Sequence, residues 1–305
     1  MNESRGVLVI AHGHPRYAKQ AVTLARSMRL HNPDIPIAVG TDLDPRFFLG
    51  LFDAVVPWKF QRRGFLSKLD MYDISPFEKT LFLDSDIIVW RPLSMVFDRF
   101  AGEPFAVMQD DEPRGTWYEN LERLRSEFGE VERIRFNGGL YYFEKCDAAE
   151  RLFRDVASIE TRYDDLGVER LYGKLSDEPM FGLIMSREGI AVTADHSRAY
   201  WIATTWPHGK PYYIDSVAGE CWHLEGKEKV HRVMMHFYGG AVNSYRYRRE
   251  ALRLALVGRY PVQRAAADRL LRLFGAIVWA LKWPWRRDRF SEALMRIRRI
   301  PAGTD

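Results

Sequence analysis

The sequence predicts an α/β protein: a mixed, mostly parallel sheet flanked by helices, followed by a basic helical C-terminal extension. Across residues 7–90, short apolar runs alternate with segments of helical period, the rhythm of β-α-β units. The chain has 305 residues and is 47% hydrophobic, enough to bury one large α/β domain and too apolar for disorder. Its charge is uneven. Residues 246–300 hold 15 Arg or Lys against 4 Asp or Glu while the whole chain carries only +4, so residues 1–245 are net acidic. The expected organisation is a catalytic or binding domain over 1–245 and a basic, Trp-containing helical tail over 246–305.

Val7–Ala11 reads as a buried strand, and Tyr17, Ala21, Leu24, Ala25 and Met28 mark a helix that stops near Asn32-Pro33. Ile35–Val39 and Asp53–Trp58 read as further strands, and Leu66–Ile74 as a short helix before Pro76. Thr80–Leu83 is a strand ending in Asp84-Ser85-Asp86, after which Ile87–Trp90 continues apolar. Ile134–Phe143 reads as a strand broken by Gly138-Gly139, then Ala148–Ile159 as a helix. Pro179–Ser186 suits a short helix, and Ile190–Ala194 and Val230–Phe237 suit strands.

Absences narrow the chemistry. The sequence has no G-x-x-x-x-G-K-[ST] phosphate loop, no G-x-G-x-x-G after the first strand, no H-E-x-x-H and no G-x-S-x-G. Two cysteines, Cys146 and Cys221, are too few for a disulfide framework or a thiolate zinc site. The run Val7–Ala11 is too short for a secretory h-region, and no stretch reaches the roughly 18 apolar residues of a membrane span. The expectation is a soluble cytoplasmic protein, peripheral at the inner face of the cytoplasmic membrane.

Asp84-Ser85-Asp86 is the strongest positive feature. Carboxylates at i and i+2 of extended chain share a face, and at the carboxyl end of a buried strand they meet the crevice where open α/β sheets bind ligands. Two such groups suit a hard divalent cation, Mn²⁺ or Mg²⁺, with a diphosphate beside it. A turn in which the aspartates cap the following segment is the alternative. Asp177-Glu178 is a second acidic pair, standing before the apolar segment Pro179–Met185, where Asp177 suits an N-cap.

Lys68, sixteen residues before Asp84, together with Lys79–Asp86, resembles the donor-site region of GT-A nucleotide-sugar glycosyltransferases. The resemblance is greatest to the retaining family 8, which includes glycogenin and bacterial lipopolysaccharide galactosyl- and glucosyltransferases. Phe136-Asn137-Gly138-Gly139 is similar to that family's F-N-[SA]-G strand, and His236-Phe237-Tyr238-Gly239 to its H-F-x-G. The likeness spans residues 6–240. It implies Asp84, Asp86 and His236 as metal ligands, with Asp177, Glu178 and Asn137 as catalytic residues. It further implies that Ala11, Tyr17, Lys68, Ser85, Gly138, Gly139 and Gly239 line a nucleotide-sugar donor, a UDP-sugar, with Tyr17 near the uracil. Glycine at 138 and 139 would let backbone approach the ligand closely, or would mark a bulge. His236 alternatively reads as a satisfied core histidine and Lys68 as a solvated helix residue.

Two departures stand out. Glu178 occupies the place where the family usually shows Gln, and Val242 the place of a lysine that touches the diphosphate. Arg246, Arg248 or Lys210 are candidate substitutes. In the tail, Leu270, Leu271, Phe274, Val278 and Leu281 share a helical face before Trp283-Pro284-Trp285 and Arg286-Arg287. That pattern fits an anionic membrane surface, or alternatively packing on the domain. Nucleic acid is a poor fit to an acidic body with no reading module. The implied function is transfer of a hexose to a hydroxyl of a glycan or lipid-linked acceptor. A nucleotidyltransferase of similar sheet, or a non-catalytic sugar-nucleotide or membrane-binding protein, are the alternatives. Acceptor contacts are expected from the loops Gln109–Trp117 and Thr204–Tyr213.

Overall fold

The computed structural model describes residues 4–109, 117–131, 135–193 and 211–257. The chain divides into two compact units, Met1–Val242 and Asn243–Asp305. The first opens with β1 (Arg5–Ile10), α1 (Pro15–His31), β2 (Ile37–Thr41) and β3 (Ala54–Pro57). A 3₁₀ segment, Gly64–Asp70, runs into the single turn α2 (Met71–Ile74), then β4 (Lys79–Leu83), β5 (Ile87–Val89), α3 (Ser94–Phe100) and β6 (Phe105–Gln109). The unit continues through α4 (Leu121–Phe128), β7 (Phe136–Glu144), α5 (Asp147–Ile159) and α6 (Asp177–Arg187). It closes with β8 (Tyr212–Asp215), β9 (Glu220–Glu225), β10 (Glu228–His231) and β11 (Met234–His236). In the second unit the described element is α7 (Tyr245–Val257).

Six strands form the main sheet in the order β3-β2-β1-β4-β7-β6. β3, β2, β1 and β4 are mutually parallel, and β7 runs antiparallel between β4 and β6. Chain direction along the sheet turns back at β1, which pairs β2 on one side and β4 on the other, so a switch-point crevice opens beyond the carboxyl ends of β1 and β4. The central strands are buried on both faces. Leu81 and Leu83 of β4 pack with Leu24 and Met28 of α1, while Phe82 faces Phe105, Tyr141, Phe153 and Phe181 on the other side.

α1 starts where Nδ1 of His14 accepts the Arg16 N–H at 3.1 Å with Pro15 in the first turn, and ends at Asn32 before Pro33. Asn32 then ties the helix end to the chain after β5, donating to the Arg91 carbonyl and accepting from the Leu93 amide.

The structure departs from the sequence reading at four places. The segment expected as a helix over Leu66–Ile74 is mostly 3₁₀. β7 is not broken at Gly138-Gly139. It runs through both glycines in register with β4 and carries its irregularity on the β6 side, where Val107 pairs Tyr141 but Gln109 pairs Phe136. Val230–Phe237 is two strands, β10 and β11, in two different small sheets. Between them the Arg232 amide donates to Cys221 and the Val233 carbonyl accepts from Trp90. Ile190–Thr193 forms no strand beyond a single bridge between Thr193 and Met108. Ala194, Lys210, residues 110–116 and 204–210 of the expected acceptor loops, and the tail beyond Val257 lie outside the described residues. Among the described residues no helix is long and apolar enough to cross a membrane.

Candidate functional site

Asp84 sits one residue beyond β4, at the switch-point crevice. Its amide donates to Gly139 of β7 at 3.0 Å, and its carbonyl accepts from Ile87 at 3.1 Å, closing the tight turn into β5. β5 pairs antiparallel with β11, placing His236 opposite Ile87, and the Phe237 amide donates to the Asp86 carbonyl at 3.1 Å. Backbone pairing alone thus brings a histidine 150 residues downstream onto the carboxylate pair. Nε2 of His236 lies 2.9 Å from Asp86 Oδ1 and 3.5 Å from Asp84 Oδ2. One ligand atom from each of the three falls within 4.8 Å of the others.

Asn137 sets the orientation of that histidine. Its Oδ1 accepts the Gly139 amide at 2.9 Å and lies 3.0 Å from Nδ1 of His236. A backbone N–H can only donate, so the atom it meets is the amide oxygen and Nδ1 must carry a proton. Nε2 is therefore the nitrogen turned to the carboxylates, the arrangement typical of a metal-ligating histidine held by an outer hydrogen bond. Gly139 is required here for space: a Cβ would stand 2.5 Å from Nδ1 of His236 and 2.8 Å from Oδ1 of Asn137. Without a metal the cluster is balanced internally. Burial pushes Asp86 up, but His236 outweighs it and holds the carboxyl low, while Asp86 raises the imidazole against its own burial. Burial dominates at Asp84 and holds it above the usual carboxylate range despite Lys68 and His236.

A second cluster adjoins the first. Lys68, in the 3₁₀ segment, is buried with its ammonium 3.0 Å from Asp84 Oδ2 and 3.5 Å from Asp177 Oδ2, and it donates to the Gly138 carbonyl at 2.6 Å. The rings of Phe82 and Tyr141 flank it at 5.9 and 5.8 Å. Burial would depress this lysine, yet Asp177, Asp84 and Glu178 outweigh it and keep the ammonium charged. It is not a solvated helix residue.

Asp177 is the first residue of α6 rather than its cap, a place held by Ser176. Its carboxylate instead accepts the Tyr141 hydroxyl at 2.5 Å. Glu178 Oε1 accepts the Gly138 amide at 2.6 Å, and burial, then the charge of Asp177, push its carboxyl up to about 7. A Cβ at Gly138 would come within 2.8 Å of Glu178 and of the Tyr141 hydroxyl.

The remaining expected residues surround this centre. Ser85 is buried and its hydroxyl donates to Gln20 Oε1 at 3.2 Å; Tyr17 lies on the same face of α1 one turn earlier. Ala11 contributes backbone only, its carbonyl accepting the Thr41 hydroxyl at 2.6 Å. Gly239 adopts φ +59°, in the turn that follows β11. Sequence reading missed His12 and Phe60, whose rings stack at 4.4 Å beyond the end of β1, with Tyr17 at 6.5 Å from His12. No local sequence pattern singles out either residue, because the two rings meet only through the fold. Arg246 and Arg248, candidate substitutes for the lysine absent at Val242, lie on α7 in the second unit.

No family model matches the sequence, and no curated protein matches it. Solved structures do. The galactosyltransferase LgtC, in complex with donor and acceptor sugar analogues, aligns over 81% of this chain and 95% of its own, with a TM-score of 0.50 and 16% identity. Mouse xyloside xylosyltransferase 1 aligns over 78% of this chain and 99% of its own, with a TM-score of 0.48 and 14% identity. For the glycosyltransferase GlyE of Streptococcus pneumoniae the figures are 65% and 47%, with a TM-score of 0.44 and 18% identity, so the chain spans about half of GlyE's length. The protein has an α/β fold of the GT-A glycosyltransferase class. Within that class its fold resembles the family 8 type, the type the sequence motifs suggested.

Proposed function

We propose that the protein is a metal-dependent glycosyltransferase that moves a hexose from a UDP-hexose to a hydroxyl of a glycan or lipid-linked acceptor, with retention of configuration. The observation that carries this reading is the convergence of Asp84, Asp86 and His236 at the switch point, with Asn137 fixing the His236 tautomer. A purely structural turn has no need of three ligand atoms so placed. The fold supports the reading.

The donor set, two carboxylates and an imidazole, suits Mn²⁺ or Mg²⁺. Such an ion, when bound, neutralises the donor's diphosphate and makes it a better leaving group. The protein's own residues do the rest. Asp84, Asp86 and His236 hold the ion. Lys68 bridges the two clusters, its ammonium in contact with both Asp84 and Asp177 and holding them in place. Glu178, oriented by the Gly138 amide, presents a carboxyl to the donor's anomeric side, where as carboxylate it stabilises positive charge developing on the sugar. His12, Phe60 and Tyr17 supply aromatic surface for the nucleobase. The basic tail, on sequence grounds, meets anionic lipid at the inner face of the cytoplasmic membrane.

A thermal-shift panel of UDP-, GDP-, ADP- and CMP-sugars with Mn²⁺, Mg²⁺ or EDTA tests the reading. Stabilisation by a UDP-sugar is expected only with metal, and only while Asp84 and Asp86 are intact. No shift with any donor would overturn it.

A further inference from the structure

Tyr172 is the one non-glycine residue with positive φ among the described residues, at +52°, and it is followed by Gly173 at +73°. Leu171 and Lys174 form an antiparallel bridge, and the Lys174 amide donates to the Leu171 carbonyl at 3.0 Å. Tyr172-Gly173 is therefore the two-residue tip of a tight hairpin with both residues left-handed, a turn that favours Asn-Gly or Gly-Gly. Tyrosine in this conformation costs about 1 kcal/mol that glycine would not. Among the described residues no side-chain interaction recovers that cost. The side chain is 80% exposed and, among the described residues, makes no hydrogen bond or ring contact.

The hairpin's place makes that cost informative. Lys174 is followed after two residues by Asp177 and Glu178, so the Tyr172 backbone is at most about 18 Å of chain from that of Asp177. The other arm is anchored to the site as well. The Glu169 amide donates to the Trp117 carbonyl at 2.7 Å, and the Trp117 ring stands perpendicular to Phe136 at 5.6 Å, next to Asn137. The turn thus holds a solvent-facing phenol ring, with a 39% exposed Leu171 beside it, on a segment that leads into Asp177 at one end and at the other is tied through Trp117 to Phe136, the residue before Asn137.

We infer that Tyr172 is a binding residue for the acceptor, its ring stacking against the apolar face of a sugar one or two residues away from the hydroxyl that receives the transferred hexose. The ligand class is an oligosaccharide, free or lipid-linked, and the recognition is by ring face and hydroxyl rather than by charge. The left-handed turn fixes the backbone that presents the ring to solvent. This inference rests on the reading of the site as a glycosyltransferase's.

The experiment uses the full chain with UDP and Mn²⁺ on a printed oligosaccharide array, comparing wild type, Tyr172→Phe and Tyr172→Asn. Asparagine suits the left-handed turn, so the Tyr172→Asn variant should melt no lower than wild type. Wild type and Tyr172→Phe are expected to bind a common set of glycans, and Tyr172→Asn to bind that set about tenfold more weakly. All three should give the same UDP-sugar thermal shift. Equal glycan binding by Tyr172→Asn, or no glycan binding by wild type, overturns the inference. So does a loss of affinity by Tyr172→Asn for phosphatidylcholine–phosphatidylglycerol vesicles in place of glycans. In each case an intact metal-dependent donor shift would leave the proposed function standing, and its absence would remove both.

Discussion

Glu178→Gln is a small change with a large expected consequence. The wild-type carboxyl is pushed from an ordinary 4.5 to about 7, first by burial and then by the charge of Asp177, with Lys68 opposing. In the unfolded chain both effects vanish. Between these two values the native state therefore binds a proton that the unfolded state does not, and stability falls as pH rises across that window. At 1.36 kcal/mol per unit, the full effect above pH 7 is about 3 kcal/mol. Glutamine keeps an oxygen for the Gly138 amide and cannot ionise.

In metal-free protein, Glu178→Gln should therefore match wild type near pH 4.5 and melt roughly 5 °C higher at pH 8. Differential scanning calorimetry in EDTA from pH 4.5 to 8 reads this directly. A difference in melting temperature that does not change with pH, or a variant less stable at pH 8, would refute the assignment of a half-buried, proton-holding carboxyl at 178.

Three further outcomes follow from the same geometry. Asn137→Ala removes the oxygen that holds Nδ1 of His236 and should weaken Mn²⁺ binding by about 10- to 100-fold in calorimetric titration, with the three ligands untouched. Gly139→Ala would drive a methyl to 2.5 Å from His236, so both melting temperature and Mn²⁺ affinity should drop, while Gly240→Ala, which meets open space, should change neither. Lys68→Met strips Asp84 and Asp177 of their shared counter-charge and should cost about 3–5 kcal/mol in denaturant unfolding without metal, part of it restored by Mn²⁺.

Much of the parallel part of the fold was legible, because β1, β2 and β4 are short apolar runs buried on both faces and α1 has a clear helical stripe with a proline stop. The edges were not. β6 and β8–β9 carry no strong alternation, and the split of Val230–Phe237 depends on which neighbouring strand each half pairs with, which local sequence does not encode. Asp84-Ser85-Asp86 was visible as a carboxylate pair at a strand end, but His236 joins it only through the β5–β11 ladder, and its place in the site came from motif likeness. The linkage of Lys68 to Asp177 through the Tyr141–Gly138 layer was hidden for the same reason: these residues are far apart in sequence and meet only once β7 and α6 pack. Both glycines of Asn137-Gly138-Gly139 turn out to make room for side chains of the site itself, Glu178 and His236.

The most direct test of the central proposal is donor turnover followed by proton NMR, with UDP-glucose and UDP-galactose incubated with Mn²⁺ and enzyme. Wild type is expected to release UDP and free hexose, the α-anomer appearing first, and both EDTA and the Asp84→Asn/Asp86→Asn double substitution should abolish the release. No release from either donor, or release indifferent to EDTA and to those two aspartates, would contradict a metal-dependent UDP-hexose transferase built on Asp84, Asp86 and His236.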